Sequence, residues 1–375
     1  MARAKARQAW RLAHRWLGLS LGLLLLLSGL TGAALVVARP LDAWAHPELF
    51  RATPVTGEVQ LDAIRQRLVH EFGSGTTLTF RPPRVAGEAL QVFVRGDAWH
   101  GTLHLDPASG DELGRRGEHE GVFNFLFELH ATLLLEDTGR AVLATAVLAY
   151  LVLLVSGVVL WWPARWCHAV RIKLDAGMLR ALFDLHRVTG AALGLGILVS
   201  VVSGAYMAWR PLSAWVTQVS GGVARSAPAL PATAAASQPV SLDAVVAEAR
   251  RRLPQGQLGY VQWPPAGKAG RVRLRLPDDP HPNGLSSVYF DPRDGAVLAV
   301  HRWHELDTGA RAYTWVYPLH IGSLGGPWQT VVNLLFGAAL AGLGGSGLVL
   351  WWQRRARPAP ARGRAVGVEG APPKG

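Results

Sequence analysis

The sequence predicts a membrane all-α four-helix bundle with two α+β domains outside the bilayer, the whole made by tandem internal duplication. Three observations predict it. Half of the 375 residues are apolar and only 17% are charged, against about 25% in a soluble domain. Four apolar runs, 16–37, 141–162, 188–209 and 331–352, each reach the roughly 20 residues that cross a hydrocarbon core as helix. A unit of helix, outer segment, Leu-His, helix and Trp-Trp occurs twice.

The elements follow in order. Residues 1–15 are a basic N-terminus and 16–38 the first spanning helix. Its uncharged 22-residue stretch exceeds the roughly 7–15 residues of a signal-peptide core, so it reads as a retained anchor. Residues 39–121 make the first outer domain, and 122–140 an interfacial segment with His130. Residues 141–162 span again, 163–187 form a loop, and 188–209 are the third span. Residues 210–312 hold a linker and the second outer domain, 313–330 an interfacial segment with His320. Residues 331–352 are the fourth span and 353–375 a basic tail.

Charge sets the topology. Residues 1–15, 163–187 and 353–375 together hold 16 Lys/Arg and 3 acids, while the rest of the chain holds 22 and 23. The whole excess of +12 therefore lies on one side of the bundle, which the positive-inside rule makes the cytoplasm. Both termini are expected inside, with two large loops outside. The bilayer is thus the first partner implied. A nucleic-acid partner is excluded, because it needs basic residues gathered on one folded face. The single cysteine, Cys167, excludes a disulfide framework, a Cys-ligated iron–sulfur cluster and a CxxCH haem.

The outer segments share one plan. In the second, 241–253 reads as an amphipathic helix with Leu242, Val245, Val246, Ala249 and Leu253 on one face. Residues 271–276 alternate as a half-buried strand, and 288–298 read as a hairpin around Asp291–Pro–Arg–Asp–Gly295. In the first, Val59–Gln–Leu–Asp–Ala–Ile64 opens a helix and 102–110 match the hairpin. Residues 226–239, rich in Ala, Pro and Ser, read as a linker.

The repeat reaches into the membrane. His14-Arg-Trp-Leu-Gly18 opens the first span and His186-Arg-Val-Thr-Gly190 the third. Leu129-His130 and Leu319-His320 precede the second and fourth, which end in Trp161-Trp162 and Trp351-Trp352. Imidazole is a strong iron ligand in its neutral form. His14 with His186, and His130 with His320, are therefore the expected axial iron ligands of one or two haem groups per chain. Arg15 and Arg187 are expected beside them as partners of haem propionates, since guanidinium binds carboxylate as a fork. Gly18, Gly22, Gly29, Gly32, Gly190, Gly194 and Gly204 are expected to admit a flat macrocycle. The plainer readings are interfacial histidines, helix-packing glycines, arginines that only obey the charge rule, and tryptophans of an aromatic belt. Glycine and proline breakers after His130 and His320 predict a short interfacial helix (123–135 in the first copy), a bend, and histidines at the outer membrane surface.

Other motifs are weaker. His301-Arg-Trp-His304 offers two metal ligands without a third, so it reads as a solvated strand end, as do His100 and His104. His46, His70, His168 and His281 read as surface residues. No GxGxxG, P-loop, GxSxG or HExxH motif is present. No acid or lysine of the kind used in proton-coupled transport interrupts the spans. An electron donor would be external, a membrane quinol or a separate reductase.

This order of motifs resembles the PepSY-associated transmembrane proteins, bacterial inner-membrane proteins also called iron-regulated or PiuB-like. The resemblance covers the chain up to Gln353. It implies that the outer segments, including 241–253 and 287–298, are PepSY modules in the periplasm. It implies ferric-siderophore reduction, with haem b on transmembrane histidines that map to His14, His130, His186 and His320. The expected partner is then a ferric siderophore or other ferric chelate. Two readings stay open beside it. One is a haem-free regulatory protein binding a peptide through strand edges. The other is a haem relay subunit for a partner oxidoreductase.

Overall fold

The computed structural model describes residues 2–55, 57–163, 165–232 and 240–355. Part of the expected linker (233–239) and most of the basic tail (356–375) lie outside the described residues. In chain order the helices are α1 (Ala2–Ala45), α2 (Pro47–Phe50), α3 (Leu61–Phe72), α4 (Val122–Thr132), α5 (Glu136–Trp161), α6 (Met178–Ala208), α7 (Arg210–Val219), α8 (Leu242–Arg252), α9 (Thr308–Ile321) and α10 (Gly326–Arg355). The strands are β1 (Thr77–Arg81), β2 (Leu90–Arg95), β3 (His100–Leu105), β4 (Glu112–Gly117), β5 (Gln257–Trp263), β6 (Gly270–Arg275), β7 (Ser286–Phe290) and β8 (Val297–His301).

Helices α1, α5, α6 and α10 are long and apolar enough to cross a membrane. Three of them run well past the apolar stretch that predicts them, because polar residues continue the intrahelical hydrogen bonds. Leu23, Leu148 and Leu195 point outward with 59%, 69% and 70% exposure, an exterior suited to lipid. This is a multi-pass membrane protein. The four helices close a ring in which α1 and α6 each pack against both α5 and α10. Tyr150, Ile197 and Leu340 form a buried layer at its middle. The α1–α10 seam is built on glycine. A Cβ at Gly29 would lie 2.5 Å from the Ala341 nitrogen, and one at Gly344 would lie 2.6 Å from the Gly22 carbonyl oxygen. Gly22 and Gly29, expected to face a cofactor, instead bring two backbones together.

The outer segments do not form two separate sheets. One antiparallel sheet runs β4-β3-β2-β1-β5-β6-β7-β8. β1 pairs with β5 across the halves, with Phe80 opposite Val261. Each half alone would leave β1 or β5 as an edge with unpaired N–H and C=O groups; the join pairs these two and leaves β4 and β8 at the ends. α3 and α8 cover one face, and Leu68, Phe80, Val92, Ala249, Val261 and Val272 lie in a single core. The helix starts are crossed as well. Asp243 accepts from the Leu61 and Asp62 N–H groups at 2.7 and 3.2 Å, and Asp62 accepts from Leu242 N–H at 2.9 Å. The expected helix 241–253 is α8, with Ser241 accepting from Ala244 N–H at its start. The alternating strand is β6, and the Asp291–Gly295 turn joins β7 to β8.

The opposite sheet face looks toward the bundle. Arg39 of α1 donates to Gln91 of β2 at 3.0 Å, and Arg116 of β4 pairs with Asp42 of α1 at 2.6 Å. The short helix α4 ends at Thr132. The chain then bends through Leu133, Leu134 and Glu136, whose φ angles are 54°, 59° and 49°, a region costly for residues with a Cβ. α9 ends on left-handed Gly322.

Candidate functional site

The four expected histidines are half-buried between helices and meet two by two. His14 of α1 and His186 of α6 have ring centroids 6.2 Å apart, with planes at 87°. His130 of α4 and His320 of α9 are also 6.2 Å apart, with planes at 32°. Each pair takes one ring from each half of the chain.

All four rings are held alike. Nδ1 lies 2.8 Å from Ser156 Oγ in His14 and 2.8 Å from Ser346 Oγ in His186. It lies 3.0 Å from Thr31 Oγ1 in His130 and 3.0 Å from Ser203 Oγ in His320. Each hydroxyl already donates to a carbonyl of its own helix: Ser156 to Leu153, Ser346 to Leu343, Thr31 to Leu27, Ser203 to Ser200. Its oxygen is then left to accept. The network therefore assigns the proton to Nδ1 and leaves Nε2 with a free lone pair, the tautomer suited to metal ligation.

The residue after each hydroxyl is glycine, and a histidine Cε1 lies against it. A Cβ there would come within 3.4 Å of Cε1 at Gly157, 3.0 Å at Gly32, 3.8 Å at Gly347 and 2.8 Å at Gly204. Sequence reasoning passes over these hydroxyl–glycine pairs, although they carry a signal. Thr31-Gly32, Ser156-Gly157, Ser203-Gly204 and Ser346-Gly347 each place the hydroxyl six residues before the end of an apolar run. At 1.5 Å per residue both layers sit about 9 Å inside the run ends. His130 and His320 reach Thr31 and Ser203 because α4 and α9 fold back against α1 and α6. Seventeen residues separate His14 from Thr31 and His186 from Ser203, about 25 Å of helix rise between the layers.

The pairs fit a metal in a planar group. With metal–imidazole bonds of about 2 Å and ring centroids roughly 1 Å behind the ligating nitrogen, opposed rings on one ion stand about 6 Å apart. Among the described residues, no three His, Cys, Asp or Glu side chains gather as a bare-ion site, His301 and His304 included. Two imidazoles per layer would leave the remaining positions of a bound metal to a tetradentate ligand such as haem.

A family model described as the PepSY-associated TM region matches residues 11–354. The chain belongs to the PepSY-associated transmembrane family. Both histidine layers and all four hydroxyl–glycine pairs lie inside the match. The PepSY-associated chain is also similar to an uncharacterized protein of Pseudomonas aeruginosa, 28% identical over 270 residues. That similarity spans 65% of this chain and 66%, just under two thirds, of the relative.

In this PepSY-associated chain Arg15 and Arg187 follow His14 and His186 directly in sequence. Arg15 is exposed and lies over the Trp16 ring, 5.1 Å from its centroid. Arg187 is 3.4 Å from the fully buried Asp184 and donates to the Arg171 carbonyl at 2.8 Å. Asp184 also accepts from Arg180 and from Lys173 N–H. It ties the preceding loop to α6, which starts at Met178, inside the stretch expected to be loop. Two other histidines also depart from expectation. His281, read as a surface residue, is 2% exposed and stacks 4.3 Å from Tyr317; burial and Arg273 push it down to about 3. His104, read as a solvated strand end, is buried 4.9 Å from the Phe50 ring; burial and Arg116 lower it to about 4.

Proposed function

We propose that this chain is a haem-b electron-transfer protein of the bacterial inner membrane, with the sheet in the periplasm and both termini in the cytoplasm. Electrons pass from the His14/His186 layer to the His130/His320 layer. They then reduce a ferric siderophore or other ferric chelate for iron uptake. The observation that carries this reading is the repeated cradle: two ring pairs with centroids 6.2 Å apart, each Nδ1 2.8–3.0 Å from a hydroxyl oxygen. We also read the halves as a tandem duplication, since each layer repeats the same histidine, hydroxyl and glycine.

When bound, haem supplies a one-electron Fe(III)/Fe(II) couple whose potential follows ligation and burial. The chain's own residues do the rest. Ser156, Ser346, Thr31 and Ser203 hold the Nδ1 protons and so raise the basicity of Nε2. Gly157, Gly347, Gly32 and Gly204 let the rings lie close to the helices. The Tyr150 layer keeps water from the space between. Each ferric chelate takes one electron and becomes ferrous. A quinol, giving two electrons and two protons, would serve two chelates; a separate reductase is the other donor class.

The test is a dithionite-reduced minus air-oxidised spectrum of the detergent-purified protein, with haem counted per chain. A b-type spectrum near two haems per chain is expected. His320→Ala should remove the outer one and leave the inner. A colourless protein, expressed with ample haem, would sink this reading in favour of a haem-free regulatory protein. Failure to reduce any ferric chelate alone would favour a relay subunit.

A further inference from the structure

Arg116 is answered by Asp42 on the sheet face toward the bundle, but among the described residues four other arginines there have no carboxylate partner. Arg81, Arg271 and Arg273 alternate with core-facing Phe80, Val272 and Leu274, so the two-residue period puts three guanidinium groups on the bundle side. Arg39 joins them: it and Arg81 both donate to Gln91 Oε1, at 3.0 and 2.8 Å. Arg271 donates to Gln262 at 3.1 Å, and its buried Nε has no partner. Arg273 donates to the Gly284 carbonyl at 2.9 Å. Among the described residues, none of these four arginines forms an ion pair with a carboxylate. The neighbouring acid Asp279 accepts instead from the His281 and Leu285 N–H groups, at 2.9 and 2.7 Å. Burial and the like charge of Arg271 draw Arg273 down to about 10, outweighing Asp279 and the nearby tyrosines.

The cluster lies on the side of α9, the helix that carries His320. Arg273 lies 5.8 Å from the Tyr260 ring. His281 stacks on Tyr313 and Tyr317 of α9, and Tyr317 is one helical turn from His320. The first half differs at these places. Three and seven residues before His130 stand Phe127 and Phe123, stacked at 6.3 Å. Where β6 has Arg271 and Arg273, β2 has Gln91 and Phe93, since Val92 and Val272 occupy matching core positions in the ladder. The histidine cradles are the same in both halves, whereas the phenols of Tyr313 and Tyr317 and the Arg271/Arg273 pair occur only in the half that carries His320.

We propose that this face is an anion-binding site and that its ligand is a net-negative, carboxylate-rich ferric chelate held next to His320. The inference rests on the ferric-chelate reading above and specifies its substrate class. Several guanidinium forks suit several carboxylates at once, while a cationic chelate is repelled.

Gallium(III) citrate, which resists reduction, is the probe. It is titrated calorimetrically into the full-chain protein in detergent. Binding is expected, weakened at least tenfold in Arg271→Gln/Arg273→Gln, with haem per chain and the haem spectrum as in the parent. Arg273→Lys, which keeps the charge, should retain most of the binding. The Gln pair should also raise KM for ferric citrate and lower KM for a cationic hydroxamate chelate of iron. Equal binding by parent and Gln pair overturns the proposal. So does loss of haem from the Gln pair, which would make these arginines propionate partners. So does loss of gallium citrate binding in nanodiscs of anionic but not zwitterionic phospholipid, which would make the face a lipid-headgroup site. Arginine-dependent binding without reduction of any ferric chelate would keep the site and reject the reductase reading. Reduction with KM indifferent to the arginines would do the reverse.

Discussion

Ser346→Ala removes the acceptor of the His186 Nδ1–H and leaves the ring free to turn or change tautomer. Partners of this kind typically contribute about 10–100-fold to the affinity of a metal site. The variant is therefore expected to lose its inner haem roughly tenfold faster to an apo-globin acceptor, followed by absorbance. Ser20→Ala, whose hydroxyl bonds only the Leu17 carbonyl on the exposed side of α1, should behave as the parent. Proton linkage is legible at His281 and His104. Both are held near 3 and 4 by burial and arginine, against about 6.5 in an unfolded chain. The folded chain binds fewer protons there, so their stability contribution is complete above about pH 6.5 and is lost as pH falls toward the folded values. The sheet's unfolding midpoint should drop between pH 6.5 and 4, and His281→Phe should flatten the drop. The sequence shows the four paired histidines because the repeat copies them at fixed offsets. It hides the hydroxyl–glycine partners among ordinary small membrane residues. It hides the burial of His281, because Tyr313 and Tyr317 reach that ring only through the fold.

Among elements, the crossed caps make a distinctive prediction. Asp243 begins α8 but satisfies the first N–H groups of α3, 182 and 181 residues away in sequence. Losing a cap costs about 0.5–2 kcal/mol. Asp243→Ala should lower stability by that amount and speed amide exchange at Leu61 and Asp62, at the start of the other half's helix. A cap acting only on its own helix would speed exchange in α8 instead. Periodicity makes α8 and β6 readable, because Leu242, Val245, Val246 and Ala249, and likewise Val272 and Leu274, all face one core. It does not tell which strand lies beside which. Alternation in β1 places Leu78 and Phe80 inward, yet nothing local names β5 as their neighbour. The segmentation into two outer domains therefore misses the single sheet. Helix ends are equally opaque, since α6 begins ten residues before its apolar run.

For the whole molecule, each layer draws on both halves. His14 leans on Ser156 in the first half, His186 on Ser346 in the second, and the two rings face each other only across the ring of helices. Polypeptides 1–175 and 176–375, divided in the exposed loop before α6, should each be colourless when expressed alone. Expressed together they should recover pigment, read as haem per complex. Pigment in either half alone would mean that one histidine of a pair suffices. The broad class, four spans with folded outer segments, is readable because length and apolarity alone define a span.

The 44-residue α1, about 66 Å long, rises past both layers and ends against the sheet, fastened there by Asp42 to Arg116 and by Arg39 to Gln91. A roof bolted to its own pillar does not lift. The sheet is thereby tied to the helix that carries His14 and Thr31, one partner in each histidine layer. Whatever tilts the sheet must therefore also move the histidine cradles, as a mast carries its rigging.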